Sequence, residues 1–426
     1  MKTLIHNAQL VGCVLDVDSK ARSLGMADGK IAFIGDEPEG FNAERYIDAN
    51  DLTVMPGCVD LAAWLREPGL DYKATLASET YAAIASGITT LTYQPEPAAM
   101  VGNSAQFNLI QDINRNLGYA HIRVLGNLTQ DLQGERLSNM GGLKRAGCVG
   151  VTNGWQPLQS LRVQRLAMEY ASTHNITVFI YPLEVALAAG GMVHEGAVAS
   201  RLGFAAIPSA AETVAVAQTL ALIEMTGTRV HFCRLSAEGS VRLIRQAKAQ
   251  GLPVTADVAA HQLFLTEMDV ADFNPLCHVR PPLRSERDRE ALIEGLADNT
   301  IDAICSDHQP HEIDAKLAPF QQTEPGISAL ETLLPLTLRL VEQGYLSLEQ
   351  AIAKVTSAPA AIIHDAAGRL QVGAPADIVM LDLEALWTLE YESMLSQGKN
   401  TPFAGWSFNG KVRQAWLAGR HIYRTE

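Results

Sequence analysis

Apolar runs typical of buried β-strands alternate with longer helical patterns through most of the chain. The runs include GITTLTYQ, AHIRVLGNL, GCVGVTN, NITVFIY, TRVHFCRLS, LPVTADV and IDAICSD, and helical patterns such as GSVRLIRQAKAQ and SERDREALIEGLADN lie between them. This alternation is typical of βαβ units, and about seven or eight such units approach the size of a (β/α)8 barrel. A doubly wound sheet also alternates, but no GxGxxG motif opens a helix after the first strand. The sequence therefore predicts an α/β protein built on a TIM-type barrel.

Short β-rich segments separated by turns lie at both ends of the chain. The first 56 residues contain TLIHNAQLV, ADGKIAFIG and ERYIDANDLTVMP, with an Asp28-Gly29 turn in the second segment. The last part contains QVGAPADIVMLDL and FNGKVRQAWLAGRHIYRTE, in which Asn409-Gly410 is a strong hairpin signal. We expect residues 1–56 and 366–426 to build one small β-rich domain, and residues 57–365 to build the barrel.

Charge and cysteine usage exclude several classes of protein. The 426 residues include 33 Lys and Arg against 47 Asp and Glu, and the net charge of −14 has the wrong sign for binding nucleic acid or an anionic membrane. The six cysteines form no CxxC pair, as is typical of reduced thiols. The most apolar window, residues 175–193, contains Pro182 and Glu184, and the first twenty residues lack the apolar run of a signal peptide. We therefore expect a cytoplasmic protein with no membrane span.

The residues after each strand of such a barrel form its functional face, and one dense polar cluster follows a predicted strand. It consists of Asp307, His308 and His311 in SDHQPH. The cluster is compatible with a ligand set, with a general base and its orienting partner, or with a solvated loop. His231 is more typical of a satisfied core histidine, and Arg234 brings a positive charge that opposes a metal. One carboxylate and two histidines from a single segment are a minimal ligand set, since catalytic zinc takes three or more convergent ligands.

The other strand ends carry residues that bind metals poorly. Ala62 and Trp64 follow the first predicted barrel strand and offer no lone pair to a metal. Asn153 is uncharged, and Tyr181 is more typical of a packing or hydrogen-bonding residue than of a nucleophile. Arg66 is compatible with an anion site or with a pair to a neighbouring carboxylate.

Several segments, in order along almost the whole chain, resemble the dihydroorotases of the amidohydrolase superfamily. They include VMPGCVDLAAWLREPG, GITTLTYQPEP, VHFCRLSAEGSVRLIR, HVRPPLRSERDRE and APADIVMLDL, and PPLR and SDHQPH are fairly specific to the family. The resemblance implies a (β/α)8 barrel with a small β-domain that acts in pyrimidine biosynthesis. It also implies a zinc-bound hydroxide that opens or closes the dihydroorotate ring, with an aspartate that shuttles the proton.

The resemblance also implies where the zinc ligands should lie, and this chain departs from the pattern there. The family's four ligand histidines and its bridging carboxylate fall on Ala62, Trp64, Tyr181, Arg234 and Asn153. The acid/base aspartate alone is kept, as Asp307. We therefore expect no zinc and no catalysis, and Asp307 would be a vestige.

The family's substrate contacts are altered as well. The arginine that binds the dihydroorotate carboxylate is kept as Arg66, and a substrate histidine is kept as His261. Two substrate asparagines are replaced by Glu96 and Arg280. Because Glu96 would repel a carboxylate, this pattern is unlike a shifted specificity, which would keep the metal centre.

The sequence thus predicts a non-catalytic dihydroorotase homologue. It resembles the inactive homologues that some bacteria keep as partners of aspartate transcarbamoylase, so the implied partners are the transcarbamoylase catalytic chains, with a homo-oligomer also compatible. Two alternatives stay open. One is an active amidohydrolase with a rebuilt metal site, for which the available ligands are Asp307, His308, His311 and His231. The other is a small-molecule sensor in which Arg66, Arg280 and Arg234 hold an anion.

Overall fold

The computed structural model describes residues 2–13 and 22–425, which begin with six short strands. Four of these form one sheet in the order β4-β3-β1-β5, in which β1 and β5 are parallel and the other pairs antiparallel. The predicted turn at Asp28-Gly29 is confirmed, because both residues have positive φ and join β3 to β4. The strands are β1 Thr3–His6, β2 Gln9–Leu10, β3 Leu24–Ala27, β4 Lys30–Ile34, β5 Arg45–Asp48 and β6 Thr53–Pro56.

Eight parallel strands form the barrel, each hydrogen-bonded to the next barrel strand along the chain. The first and last of them meet through His308, whose backbone N–H donates to Ala62 O at 3.0 Å and whose carbonyl accepts from Trp64 N at 2.9 Å. The predicted TIM-type barrel is therefore confirmed. Its strands are β7 Cys58–Ala63, β8 Ile88–Tyr93, β9 His121–Asn127, β10 Gly150–Thr152, β11 Val178–Ile180, β14 Val230–Phe232, β15 Val254–Ala259 and β16 Ala303–Cys305, with the short pair β12 Val193–His194 and β13 Ala206–Ile207 after β11.

Amphipathic helices pack against the outside of the barrel. In α8, Val241, Ile244 and Ala247 recur at helical spacing and are buried. The helices α1 and α9 begin at capping boxes formed by Thr75 and Ser285. The helices are α1 Leu76–Ala85, α2 Ser104–Leu117, α3 Met140–Ala146, α4 Leu161–Thr173, α5 Val185–Ala188, α6 Ala197–Leu202, α7 Ala210–Thr226, α8 Glu238–Ala249, α9 Glu286–Ala297, α10 Asp314–Leu317, α11 Leu330–Glu342, α12 Leu348–Val355 and α13 Ser357–Ile362.

A second sheet joins strands from the two ends of the chain in the order β19-β18-β17-β6-β2. The new strands are β17 Ile378–Thr388, β18 Ser407–Leu417 and β19 Arg420–Arg424. Val54, Met380 and Trp416 are buried in its core. An additional β-sheet domain therefore accompanies the barrel, while the boundaries at residues 56 and 365 stay a prediction.

The hairpin prediction for Asn409-Gly410 is wrong. Both residues lie inside β18, where Asn409 pairs with Leu386 at an irregularity in the register. Gly410 takes its positive φ of 88° within the strand, and the turn from β18 to β19 falls instead at Ala418 and Gly419. A glycine with positive φ is thus used here for a strand distortion rather than for a turn.

The sequence predicted reduced thiols and no membrane span. All six cysteines lie in the described ranges and are free thiols, five of them buried. Among the helices of residues 2–13 and 22–425, none is both long enough and apolar enough to cross a lipid bilayer.

Candidate functional site

Arg234 is a buried cation at the carboxyl ends of the barrel strands, a region called the barrel mouth below. It follows β14, and 1% of it is exposed. Its guanidinium carbon lies 5.1 Å from the ring centre of Trp64, 4.6 Å from that of Trp155 and 5.6 Å from that of Tyr181. These three rings, called the aromatic cage below, come from the ends of β7, β10 and β11. Cation–π attraction is strong at such distances when water is excluded.

The aromatic cage is itself a packed unit. The rings of Trp64 and Trp155 are stacked, with centroids 5.2 Å apart and planes at 16°. Tyr181 meets Trp155 edge to face, with centroids 4.4 Å apart. Burial raises the pKa of the Tyr181 hydroxyl well above its ordinary value, so this hydroxyl stays protonated at neutral pH. The cage therefore supplies aromatic faces rather than a nucleophile.

Asp307 is the carboxylate that faces Arg234. Its Oδ1 lies 3.4 Å from Arg234 Nε, and both side chains are 1% exposed. Its Oδ2 accepts a hydrogen bond from Gln309 Nε2 at 3.2 Å. Burial raises the pKa of Asp307 to about 7, and the charge of Arg234 opposes this rise. Asp307 is thus held against a permanent cation instead of facing a free cavity.

The residues of the barrel mouth do not fit the zinc that the resemblance implies. Ala62 has no ligand atom, Trp64 offers a donor N–H, and Arg234 places a positive charge where a second cation would have to lie. Asn153 is committed to its own loop, since its Oδ1 accepts from Thr129 Oγ1 at 2.6 Å and its amide donates to two backbone carbonyls. Within residues 2–13 and 22–425, no group of three or more His, Cys, Asp or Glu side chains is arranged to hold a metal.

The three histidines considered as replacement ligands lie in separate hydrogen-bond networks. His231 contacts Thr255 Oγ1 and Asp257 Oδ2, each at 2.9 Å. His308 Nε2 lies 2.8 Å from Glu79 Oε2, and its Nδ1 accepts from Ala329 N–H at 3.0 Å. The two ring nitrogens of His311 lie 3.3 Å from Arg66 Nη2 and 3.1 Å from Lys73 Nζ. Because both nitrogens of each ring are engaged, the structure does not bring the histidines together with Asp307 as a ligand set.

Arg66 is neutralised from within the chain. Its Nη1 forms an ion pair with Glu96 Oε2 at 2.7 Å, and its Nε donates to Pro310 O at 3.1 Å. Burial raises the pKa of Glu96 above its ordinary value, and the charge of Arg66 opposes the rise. Of the two readings of Arg66, the structure thus places it in a pair with a neighbouring carboxylate. An external anion would have to displace Glu96.

Removing that internal carboxylate is expected to expose an anion site. In Glu96→Ala, Arg66 loses its partner, and the affinity for carbamoyl aspartate should rise about tenfold or more, as expected for one charged hydrogen bond. Isothermal titration calorimetry checks this. Glu238→Ala is the matched control, because Glu238 pairs with Arg287 at 2.8 Å and not with Arg66. Equal affinities in wild type and Glu96→Ala would contradict the expectation.

The other two predicted substrate-contact residues lie in different surroundings. His261 follows β15, is 1% exposed, and has no hydrogen-bond partner for either ring nitrogen in the described part of the chain. Burial lowers its pKa to about 3, so it is neutral. Arg280 is exposed and precedes a cis proline, Pro281. In the described ranges, no hydrogen bond or ion pair joins His261 or Arg280 to Arg66 or Glu96.

Sequence reasoning gave no role to Trp155, Lys73 and Glu79. Trp155 lies shortly after the end of β10. Its position at a strand end could therefore have indicated that it belongs to the aromatic cage. Lys73 is buried beside His311, and it pairs with Glu324. Glu79 is buried on α1 against His308, 229 residues away. Such distant pairs leave no mark in local periodicity.

The barrel with its additional β-sheet domain has the architecture of solved hydantoinases. The structure of L-hydantoinase (dihydropyrimidinase) from Arthrobacter aurescens matches with a TM-score of 0.87 and 25% identity, over 99% of this chain and 96% of that one. D-hydantoinase from Thermus sp. matches with a TM-score of 0.84 and 20% identity, over 99% and 95% of the two chains, which supports the fold alone. The fold therefore defines the class as an amidohydrolase-type barrel.

Sequence comparison then gives the family. The model of the amidohydrolase family matches residues 189–422, and the dihydro-orotase-like model matches residues 52–240. A dihydroorotase-like protein of Pseudomonas aeruginosa is 44% identical over 419 residues, 98% of this chain and 99% of its own. A dihydroorotase of Syntrophotalea carbinolica is 39% identical over 424 residues, 100% and 99% of the two chains. The chain belongs to the dihydroorotase-like family of amidohydrolases.

Proposed function

We propose that this protein is a non-catalytic dihydroorotase homologue, and that it serves in the cytoplasm as a structural partner of aspartate transcarbamoylase catalytic chains in pyrimidine biosynthesis. The observation that carries the first part is the buried guanidinium of Arg234, seated in the aromatic cage and facing Asp307. A metal-dependent hydrolase needs anionic or neutral lone-pair ligands at this point, and this chain places a cation there.

The proposal is also supported by the other groups that hydrolysis would use, a general base and a carboxylate-binding arginine, because both are paired within the chain. A general base must accept a proton from a water beside the substrate, but the Oδ1 atom of Asp307 faces Arg234. The carboxylate-binding group, Arg66, is already paired with Glu96. Each group is therefore occupied by another residue of the same chain.

The partner role is supported by the retained fold and by similarity. A barrel that keeps its full architecture after its reactive groups are occupied still offers a large surface for association. The Pseudomonas aeruginosa relative, at 44% identity, is described as dihydroorotase-like rather than as a dihydroorotase. Both points support an assembly role.

Reconstitution with the aspartate transcarbamoylase of the same organism tests the proposal. The two purified proteins should elute together on size exclusion, and the transcarbamoylase should be more active or better assembled with its partner than alone. The purified chain should contain zinc far below one equivalent and should not hydrolyse dihydroorotate, with or without added zinc. Stoichiometric zinc with turnover would contradict the non-catalytic part, and separate elution with unchanged transcarbamoylase activity would contradict the partner part.

A further inference from the structure

We propose that Arg234 is a built-in structural cation that ties the barrel strands together at the barrel mouth, with the aromatic cage as its seat and Asp307 as its counter-ion. The inference concerns the chain's own stability and does not depend on the proposed partner. It also gives Asp307 a role, as the partner of this cation.

Arg234 contacts residues at the ends of several barrel strands. Its guanidinium contacts Trp64, Trp155 and Tyr181, which follow β7, β10 and β11. Its Nε faces Asp307, which follows β16, and its backbone N–H donates to Asp257 in β15. With its own strand, β14, one residue thus joins six of the eight barrel strands at the end where the barrel opens.

The charge of Arg234 is balanced by aromatic faces and a counter-ion rather than by hydrogen bonds to all of its nitrogens. Desolvating a guanidinium is unfavourable, so its charge must be balanced inside the protein. Arg234 Nε and Nη1 have no hydrogen-bond partner among the described residues, and neither has Asp307 Oδ1. The three aromatic faces and the charge of Asp307 therefore supply the stabilisation that hydrogen bonds to these atoms do not.

Position 234 requires an arginine and not simply a positive charge. A guanidinium is planar and stacks on rings, and it is less strongly hydrated than an ammonium. A lysine at this position would keep the charge but lose the contact of a planar guanidinium with the three rings. The seat is therefore specific for shape as well as for charge.

A double-mutant cycle on the full-length chain tests the inference through urea unfolding. Arg234→Met leaves the buried Asp307 without its counter-ion, so at pH 8 this carboxyl must either stay charged and unpaired or take up a proton on folding, and the unfolding equilibrium constant should rise about 100-fold or more. Arg234→Lys should lose nearly as much stability. Arg234→Met combined with Asp307→Asn should be at least about tenfold more stable than the sum of the two single losses predicts, because both charges are gone.

The pair of Arg245 and Asp298 provides the matched control. Its nitrogen and oxygen lie 2.7 Å apart, but the two side chains are 45% and 43% exposed. Arg245→Met should change the unfolding constant less than about threefold. If Arg234→Met does not fold, the cycle is run from Arg234→Gln, which also removes the charge. An Arg234 variant within threefold of wild type, or strictly additive losses in the cycle, overturns the inference.

Discussion

Replacing Glu79 with alanine is expected to lower the free energy of unfolding by about 3–5 kcal/mol, because three hydrogen-bond donors lose a buried carboxylate acceptor at about 1–3 kcal/mol each. Glu79 lies on α1 and is fully buried. Its Oε2 lies 2.8 Å from His308 Nε2, and its Oε1 accepts from Gln397 N–H at 3.0 Å and from the Ser78 hydroxyl at 2.8 Å. The carboxylate therefore joins α1, the closing segment of the barrel and a C-terminal loop.

The hydrogen bonds of His308 fix its protonation. Its Nδ1 accepts from Ala329 N–H, so the proton lies on Nε2 and is donated to Glu79. The backbone of the same residue joins Ala62 and Trp64 and closes the barrel. Without Glu79, a buried N–H of His308 loses its acceptor at the point where the two edge strands meet.

Urea unfolding at neutral pH measures this loss, and Glu349→Ala is the matched control. Glu349 lies in the first turn of α12 and is exposed, so its replacement should change stability by less than about 0.5 kcal/mol. A loss below about 1 kcal/mol in Glu79→Ala would contradict the expected role of the pair.

The same pair has a pH signature. Burial alone would raise the pKa of Glu79, but hydrogen bonds from His308 and Gln397 lower it below its ordinary value. A carboxyl with a lowered folded pKa stabilises the fold above its unfolded pKa, and that contribution disappears as the pH falls through the folded pKa. Wild type should therefore lose more stability in acid than Glu79→Ala.

The sequence predicted which residues would lie together at the barrel mouth, because parallel strands bring their carboxyl ends to one edge of the barrel. That rule placed Trp64, Tyr181, Arg234 and Asp307 at a common face, and the structure brings these four together. It could not say that a guanidinium would lie over the three rings of the aromatic cage. This depends on the backbone turn at Arg234, which has a φ of 55°, and on side-chain directions that local patterns do not encode.

Long-range pairing is the part that the sequence did not reveal. SDHQPH was compatible with a metal site, a base or a loop. In the structure its three ionisable residues have four partners: Arg234 for Asp307, Glu79 for His308, and Arg66 with Lys73 for His311. Each partner lies more than 70 residues away along the chain, so the choice among the three readings required tertiary contacts.

Restoring the nominal zinc ligands is expected to destabilise the protein strongly without restoring hydrolysis. The variant combines Ala62→His, Trp64→His, Asn153→Asp, Tyr181→His and Arg234→His. Removing most of the Trp64 indole from its stack on Trp155 should by itself cost about 3 kcal/mol or more. Ala62 is fully buried, so an imidazole there must displace its neighbours. Thermal unfolding measures the first effect, and elemental analysis with a dihydroorotate assay measures the second.

The physical reason for the expected failure lies in the residues around the five positions. A ligand histidine needs a partner for its second ring nitrogen, and such partners fix both its orientation and its tautomer. At position 153, an aspartate would lose the amide that donates to Leu132 O and Gln156 O and would bring a charge against those carbonyls. Trp64→Phe is the matched control, since it keeps an aromatic face towards Arg234 and should lose much less stability than Trp64→His. Stoichiometric zinc and turnover in the five-residue variant would mean that the supporting residues survive, and that Arg234 with its aromatic cage fills a metal site that is otherwise intact.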